Sequence, residues 1–389
     1  MEKSFTKDNY QQFMKGYDTK AIHEGFFGDQ YGSVVPPIIL STTYTSQFQH
    51  KYHYSRLDNP TRNIFEENVA ALEGAKHAIA FASGMAAITT VFHLLNPGDH
   101  FLMSSEVYGW SILYAEKIGV KKQGLTYDLV DTRDLEIVKK AIKENTRLIY
   151  FETLANPLLH ITDIEGIVKI CKGKNILVCI DNTFMSPIWQ NPLLLGADVV
   201  IHSASKYIGG HSDIVAGVVA VNDDNTYNEL LGFQRLTGNE SNPFDCYLGW
   251  RGIKTLKVRM CQAQENAFKI AEYLQNHPKV EKVLYAGLPD HPGHEILKRQ
   301  AKGFGSMISF YLKEEKARNF CRELTLIIFA GSFGGVESLA MDPIEHTHKN
   351  VDPEICKKLG INKKLVRMSI GIESVEDLIA DISNALSKI

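Results

Sequence analysis

No run of apolar residues in this 389-residue chain approaches the ~20 needed to cross a bilayer, so a membrane-spanning role has no basis. Its six cysteines include no C-x-x-C pair, and Cys171, Cys179, Cys246, Cys261, Cys321 and Cys356 are expected as reduced, mostly core thiols rather than disulfides or zinc ligands. Basic charge is not in excess: the formal net charge is −3, and nothing resembles the cationic stripe that a nucleic-acid partner requires. The opening MEKSFTKDNYQQFMKGYDTK is charged throughout and lacks the apolar stretch of a secretory signal, so a cytoplasmic location is expected. There is no G-x-x-x-x-G-K-[ST] loop and no G-x-G-x-x-G turn, which removes P-loop and nicotinamide chemistry. Internal repeats and low-complexity stretches are missing too.

What is present is an alternation of helical patterns with short apolar runs. HAIAFAS (77–83), DHFLMSS (99–105), RLIYFET (147–153), NILVCIDN (175–182), DVVIHSAS (198–205) and IVAGVVAV (214–221) are apolar on both faces, as strands of a helix-covered, mostly parallel sheet must be. The fold class predicted is therefore α/β. Past residue 250 a long helical stripe (Leu256, Met260, Ala263, Ala267, Ala271, Leu274) starts a smaller α+β unit. KVEKVLYAG, GSMISFYL and KLVRMSIGI read as its strands, SVEDLIADISNALSKI as its closing helix, and LTLIIFAG (324–331) as a further buried strand. The expected division is an arm over 1–60, a large domain over 61–252 and a C-terminal domain over 253–389.

Open α/β sheets place ligands at the carboxyl ends of their strands. There FASGMAA passes through Ser83 and Gly84 into a helix, whose free N–H groups suit a phosphate. LVCIDNTF ends on Asp181, a carboxylate that needs a partner if buried; alone it reads equally as a cap. HSASKYIGG carries Lys206, flanked by Ser203 and Ser205; alone the lysine reads equally as a surface ion-pair partner. Together the four parts meet the demands of pyridoxal 5'-phosphate: a phosphate cradle, a carboxylate for the ring cation and an amine to form an imine with the aldehyde.

VVPPIILSTTY, YSRLDNPTRN, FASGMAA, VYG, IDNTFMSP, SASKYIGGHSD, RGIKTLKVRM, GGVESLA and LVRMSIGIE follow one another along nearly the whole chain. In that order they resemble the Cys/Met-metabolism family of pyridoxal-phosphate enzymes, the trans-sulfuration enzymes. PIILSTTY, NPFDCYLGWRGIKTL and VEKVLYAGLPDHPGHE are most similar to its cystathionine gamma-lyase branch. The resemblance implies a fold-type I, aspartate-aminotransferase-like architecture. It makes Lys206 the imine-forming lysine, Asp181 the partner of the ring nitrogen and Tyr108 the residue stacked on the ring. Gly84 and Met85 would give N–H groups, and Ser203 and Ser205 hydroxyls, to the phosphate. Tyr54 and Arg56 would reach the phosphate of a neighbouring subunit in a homotetramer with shared active sites. Arg367 would clamp the substrate carboxylate, Asn156 and Ser338 would lie near the ring oxygen and the substrate carboxylate or lysine, and Glu337 would meet a distal ammonium.

The activity implied is α,γ-elimination on a sulfur amino acid: cystathionine to cysteine, 2-oxobutanoate and ammonia. Gamma-synthase or methionine gamma-lyase activity is the alternative, and a catalytically silent paralogue is a reading of another class. The chain departs from the branch at YGWSILYAE, where Trp110 and Leu113 replace a small residue and an arginine, narrowing the pocket expected for the distal end of cystathionine. His346 and His348 form an i, i+2 pair with no third ligand in sequence, so no metal is expected; His211 is expected to shape the loop behind Lys206.

Overall fold

The computed structural model describes residues 14–47, 51–346, 356 and 359–389. Seven strands, β1 (His77–Phe81), β2 (His100–Ser104), β3 (Thr126–Val130), β4 (Thr146–Glu152), β5 (Leu177–Asp181), β6 (Val199–Ser203) and β7 (Gly217–Val221), form one sheet in the order β1-β7-β6-β5-β4-β2-β3. The pairings from β6 through β3 are parallel, while β7 runs antiparallel to both β1 and β6. Apolar periodicity cannot reveal that reversal, because a strand covered on both faces has the same composition in either direction.

Val199, Val200 and Ile201 in β6 are fully buried, and burying each such side chain contributes about 1.5–3 kcal/mol. One face packs on the helix Gly84–Phe92, the other on the helix Pro60–Glu73. β3 escaped the sequence reading: it is an edge strand, TYDLV, with only its last residue buried.

A second sheet of five strands, β8 (Val280–Leu284), β9 (Met307–Leu312), β10 (Ile328–Phe329), β11 (Leu339–Met341) and β12 (Leu365–Ser369), has the order β10-β11-β12-β9-β8. The helix Leu256–Gln275 buries all six residues of its predicted stripe, and the helix Val375–Lys388 packs beside it. The stretch 324–331 is not the buried strand expected. Only Ile328–Phe329 joins the ladder, because the backbone N–H groups of Thr325, Leu326 and Ile327 are taken by the carboxylate of Asp381 at 2.9 Å each. Leu326 and Ile328 consequently stand about half exposed. Among the cysteines, Cys261 is exposed and the other five are buried; all six are free.

Candidate active site

The carboxyl ends of β4, β5 and β6 lie side by side and deliver Glu152, Asp181 and Ser203, with Lys206 three residues beyond. Ser83 caps the helix Gly84–Phe92 by accepting the Ala86 N–H at 3.0 Å. The N–H groups of Gly84 and Met85 belong to the first turn, which has no intrahelical acceptor. Only glycine fits at position 84: a Cβ there would meet Oγ of Ser203 at 2.9 Å, so this turn lies directly on the end of β6.

Asp181 is fixed through Thr183, whose N–H and hydroxyl both donate to Oδ1; the same hydroxyl receives the N–H of Ser203 at 2.8 Å. Burial raises the Asp181 carboxyl above its ordinary range, opposed by the Thr183 donors and by His202 on β6. Behind that end of the sheet, His202 and Glu73 form a fully buried pair, Nε2 to Oε1 2.5 Å. Sequence reading missed Thr183, although an i+2 hydroxyl after a strand-end aspartate is a recognisable turn signal.

Lys206 Nζ donates to Ser332 Oγ at 2.6 Å and lies 5.0 Å from the ring centroid of Phe333. Its ammonium is brought down to about 8, first by desolvation and then by the positive charge of Arg367. Arg367, in β12, donates from one terminal nitrogen to Asn156 Oδ1 at 2.9 Å and from the other to the Ser332 carbonyl at 2.8 Å. It is 2 % exposed, and its Nε has no protein acceptor. Gly334 holds the 330–334 loop against the lysine: at φ +85 it is left-handed, and a Cβ would come within 2.7 Å of the Tyr207 nitrogen.

Tyr108 donates its N–H to Glu152 at 2.6 Å and is 39 % exposed. Trp110 is exposed and Leu113 half-buried on the short helix that follows. Glu337 accepts from Ser212.

The hydroxyl of Ser338 donates to Glu373 Oε2 at 2.9 Å and accepts the Gly371 N–H, while the serine bonded to Lys206 is Ser332, which the sequence reading did not single out. Ser205 is tied to the backbone of Ala216, with its hydroxyl donating at 3.3 Å and accepting at 3.0 Å. Tyr54 and Arg56 make their contacts away from the lysine: Tyr54 bridges to Thr43, and Arg56 donates to the Arg235 carbonyl. His211 bonds the Gly209 carbonyl within its own loop. His346 pairs with Asp342, while His348 lies outside the described residues. No group of three metal-ligating side chains occurs among the described residues, nor is any helix there long and apolar enough to cross a membrane.

The residues fit pyridoxal phosphate on this geometry. The Gly84 cradle admits no side chain, Lys206 offers an amine that loses its proton readily, and the buried Arg367 retains an unused N–H for an anion. Fold and site thus define a fold-type I enzyme that uses this cofactor. The profile of the Cys/Met metabolism PLP-dependent enzyme family matches residues 18–387, and the chain belongs to that family. It is 47% identical to a cystathionine gamma-lyase of Dictyostelium discoideum, over 95% of this chain and 97% of that one. It is 45% identical to a cystathionine beta-lyase of Lactococcus lactis subsp. cremoris (strain MG1363), over 96% and 100% respectively. The crystal structure of cystathionine gamma-lyase from Lactobacillus plantarum complexed with L-serine superposes with a TM-score of 0.93 at 42% identity, covering 96% of this chain and 99% of that one.

Proposed function

We propose that this protein is a carbon–sulfur lyase that cleaves cystathionine by α,γ-elimination to cysteine, 2-oxobutanoate and ammonia. The observation that carries the reading is the pairing of a readily deprotonated Lys206 with a buried Arg367 whose Nε has no protein acceptor and whose terminal nitrogens each make only one bond to the protein. A guanidinium so placed suits the planar carboxylate of an amino acid, which lysine could not grip in two places.

When bound, pyridoxal phosphate supplies an aldehyde and an electron-withdrawing ring. Lys206, held beside Ser332, takes the proton from the substrate Cα; an amine brought down to about 8 has a far larger deprotonated fraction near neutral pH than an ordinary lysine. Arg367 orients the carboxylate, with Asn156 and Ser332 fixing the guanidinium plane. Asp181 would balance the ring cation, Tyr108 would cover the ring face, and the N–H groups of Gly84 and Met85 with the hydroxyl of Ser203 would hold the phosphate. Ser205 supports that turn through Ala216. Glu337 faces the distal ammonium.

The same reading assigns an arm over 1–60, a large domain over 61–252 and a C-terminal domain over 253–389. It also makes the protein a cytoplasmic homo-oligomer in which Tyr54 and Arg56 serve the neighbouring subunit. The exposure of Tyr31, Val34 and Leu40 in the arm (81%, 91% and 71%) supports a second copy covering it.

The test is a panel of cystathionine, methionine, cysteine and O-succinylhomoserine assayed for 2-oxobutanoate, pyruvate and thiol. The expected result is 2-oxobutanoate and cysteine from cystathionine. Pyruvate with homocysteine from the same substrate would replace the proposal with β-elimination.

A further inference from the structure

β4 ends on Glu152 and β5 on Asp181, and the two are paired in register. Registered residues of adjacent strands point to the same face, with the strands only about 4.8 Å apart. Glu152 is 8 % exposed, and the charged groups facing it are the carboxylates of Asp181 and Glu106; the phenols of Tyr108 and Tyr150 adjoin it. Two carboxylates this close and this dry do not both ionise cheaply. Asp181 has the better support for a charge, with two donors from Thr183 and His202 behind it. Burial first and then Asp181 push the Glu152 carboxyl well above the usual range.

The Glu152 carboxyl also holds the segment after β2: its Oε1 accepts the Tyr108 N–H at 2.6 Å. One carboxyl therefore sets the backbone under the ring-covering tyrosine.

We propose that Glu152 is a positioning residue working as a neutral carboxylic acid, which fixes Tyr108 by accepting its N–H while leaving Asp181 as the ionised carboxylate. The assignment rests on the roles proposed above for Tyr108 and Asp181.

Glu152→Gln and Glu152→Ala in the full chain test it, because glutamine keeps the acceptor and can never carry the charge. Cofactor affinity, measured by titrating pyridoxal phosphate into the apoprotein, should stay within about threefold for Gln and weaken at least about tenfold for Ala. Thermal unfolding of the apoprotein from about pH 5 to about pH 9 supplies an independent readout. A carboxyl whose folded pKa is raised contributes stability below its unfolded pKa and loses it as pH rises toward the folded one. Wild type should therefore lose Tm relative to Glu152→Gln as pH rises. Gln as damaging as Ala, or parallel Tm curves for wild type and Gln, would overturn the proposal. A wild-type chain that bound no pyridoxal phosphate would instead refute the functional reading, and the unfolding curves would still decide the charge of Glu152.

Discussion

The hydroxyl of Ser332 accepts the Lys206 amine at 2.6 Å, and the carbonyl of the same serine accepts Arg367 at 2.8 Å. One residue thus sets the spacing between the amine and the guanidinium, whose mutual repulsion helps deprotonate the lysine. Ser332 does so from a left-handed backbone, φ 94, a conformation that costs a non-glycine residue about 1 kcal/mol or more.

Removing that hydroxyl with Ser332→Ala should slow turnover of cystathionine about tenfold, equivalent to ~1.4 kcal/mol, with a smaller change in KM. The carbonyl contact to Arg367 survives the substitution, so carboxylate binding is spared. A rise in KM with kcat unchanged would show that Ser332 serves the substrate rather than the lysine.

The depressed Lys206 amine makes stability depend on pH with a definite sign. Between about 8 and the ordinary 10.5 the unfolded chain holds a proton that the folded chain has lost, so stability rises with pH across that window. Lys206→Met should stabilise the apoprotein below pH 8 and lose that advantage above pH 10.5, as read by Tm. Equal pH slopes for the two chains would contradict the shift.

Arg367→Lys should raise KM for cystathionine about 10- to 100-fold, because a point charge replaces a planar fork and leaves Asn156 or Ser332 without a donor. Steady-state kinetics check it; an unchanged KM would place the carboxylate elsewhere.

Asp181→Asn should weaken retention of pyridoxal phosphate on dialysis and lower kcat at least about 100-fold, since the buried negative charge opposite the ring cation is lost. Absorbance of the dialysed protein measures the first effect. Full retention of the cofactor with normal turnover would remove Asp181 from the ring.

Leu113→Arg should raise the rate on cystathionine relative to methionine about threefold or more, by giving the distal carboxylate of the larger substrate a partner. The ratio of kcat/KM for the two substrates reports it. An unchanged ratio would mean that the distal end binds away from the helix Gly109–Tyr114.

The sequence by itself determined the periodic elements and the local chemistry. Runs apolar on both faces, such as DVVIHSAS and NILVCIDN, have no stable place except inside a covered sheet, and a strand-end aspartate, a Ser-Gly helix start and a serine-flanked lysine carry their chemistry wherever the chain goes. The stripe of the helix Leu256–Gln275 was legible because burial there follows a 3.6-residue period. The edge strand β3 was not, because a strand lying mostly outside the core has no pressure to be apolar. The antiparallel course of β7, the diversion of residues 325–327 onto Asp381 and the bond from Lys206 to Ser332 were decided only by tertiary structure. Each depends on which residues from distant segments meet: 126 positions separate Lys206 from Ser332, and 211 separate Asn156 from Arg367. Local sequence fixes which groups can donate, accept or ionise. Packing fixes which of them share a space dry enough for a neighbour's charge to move a proton.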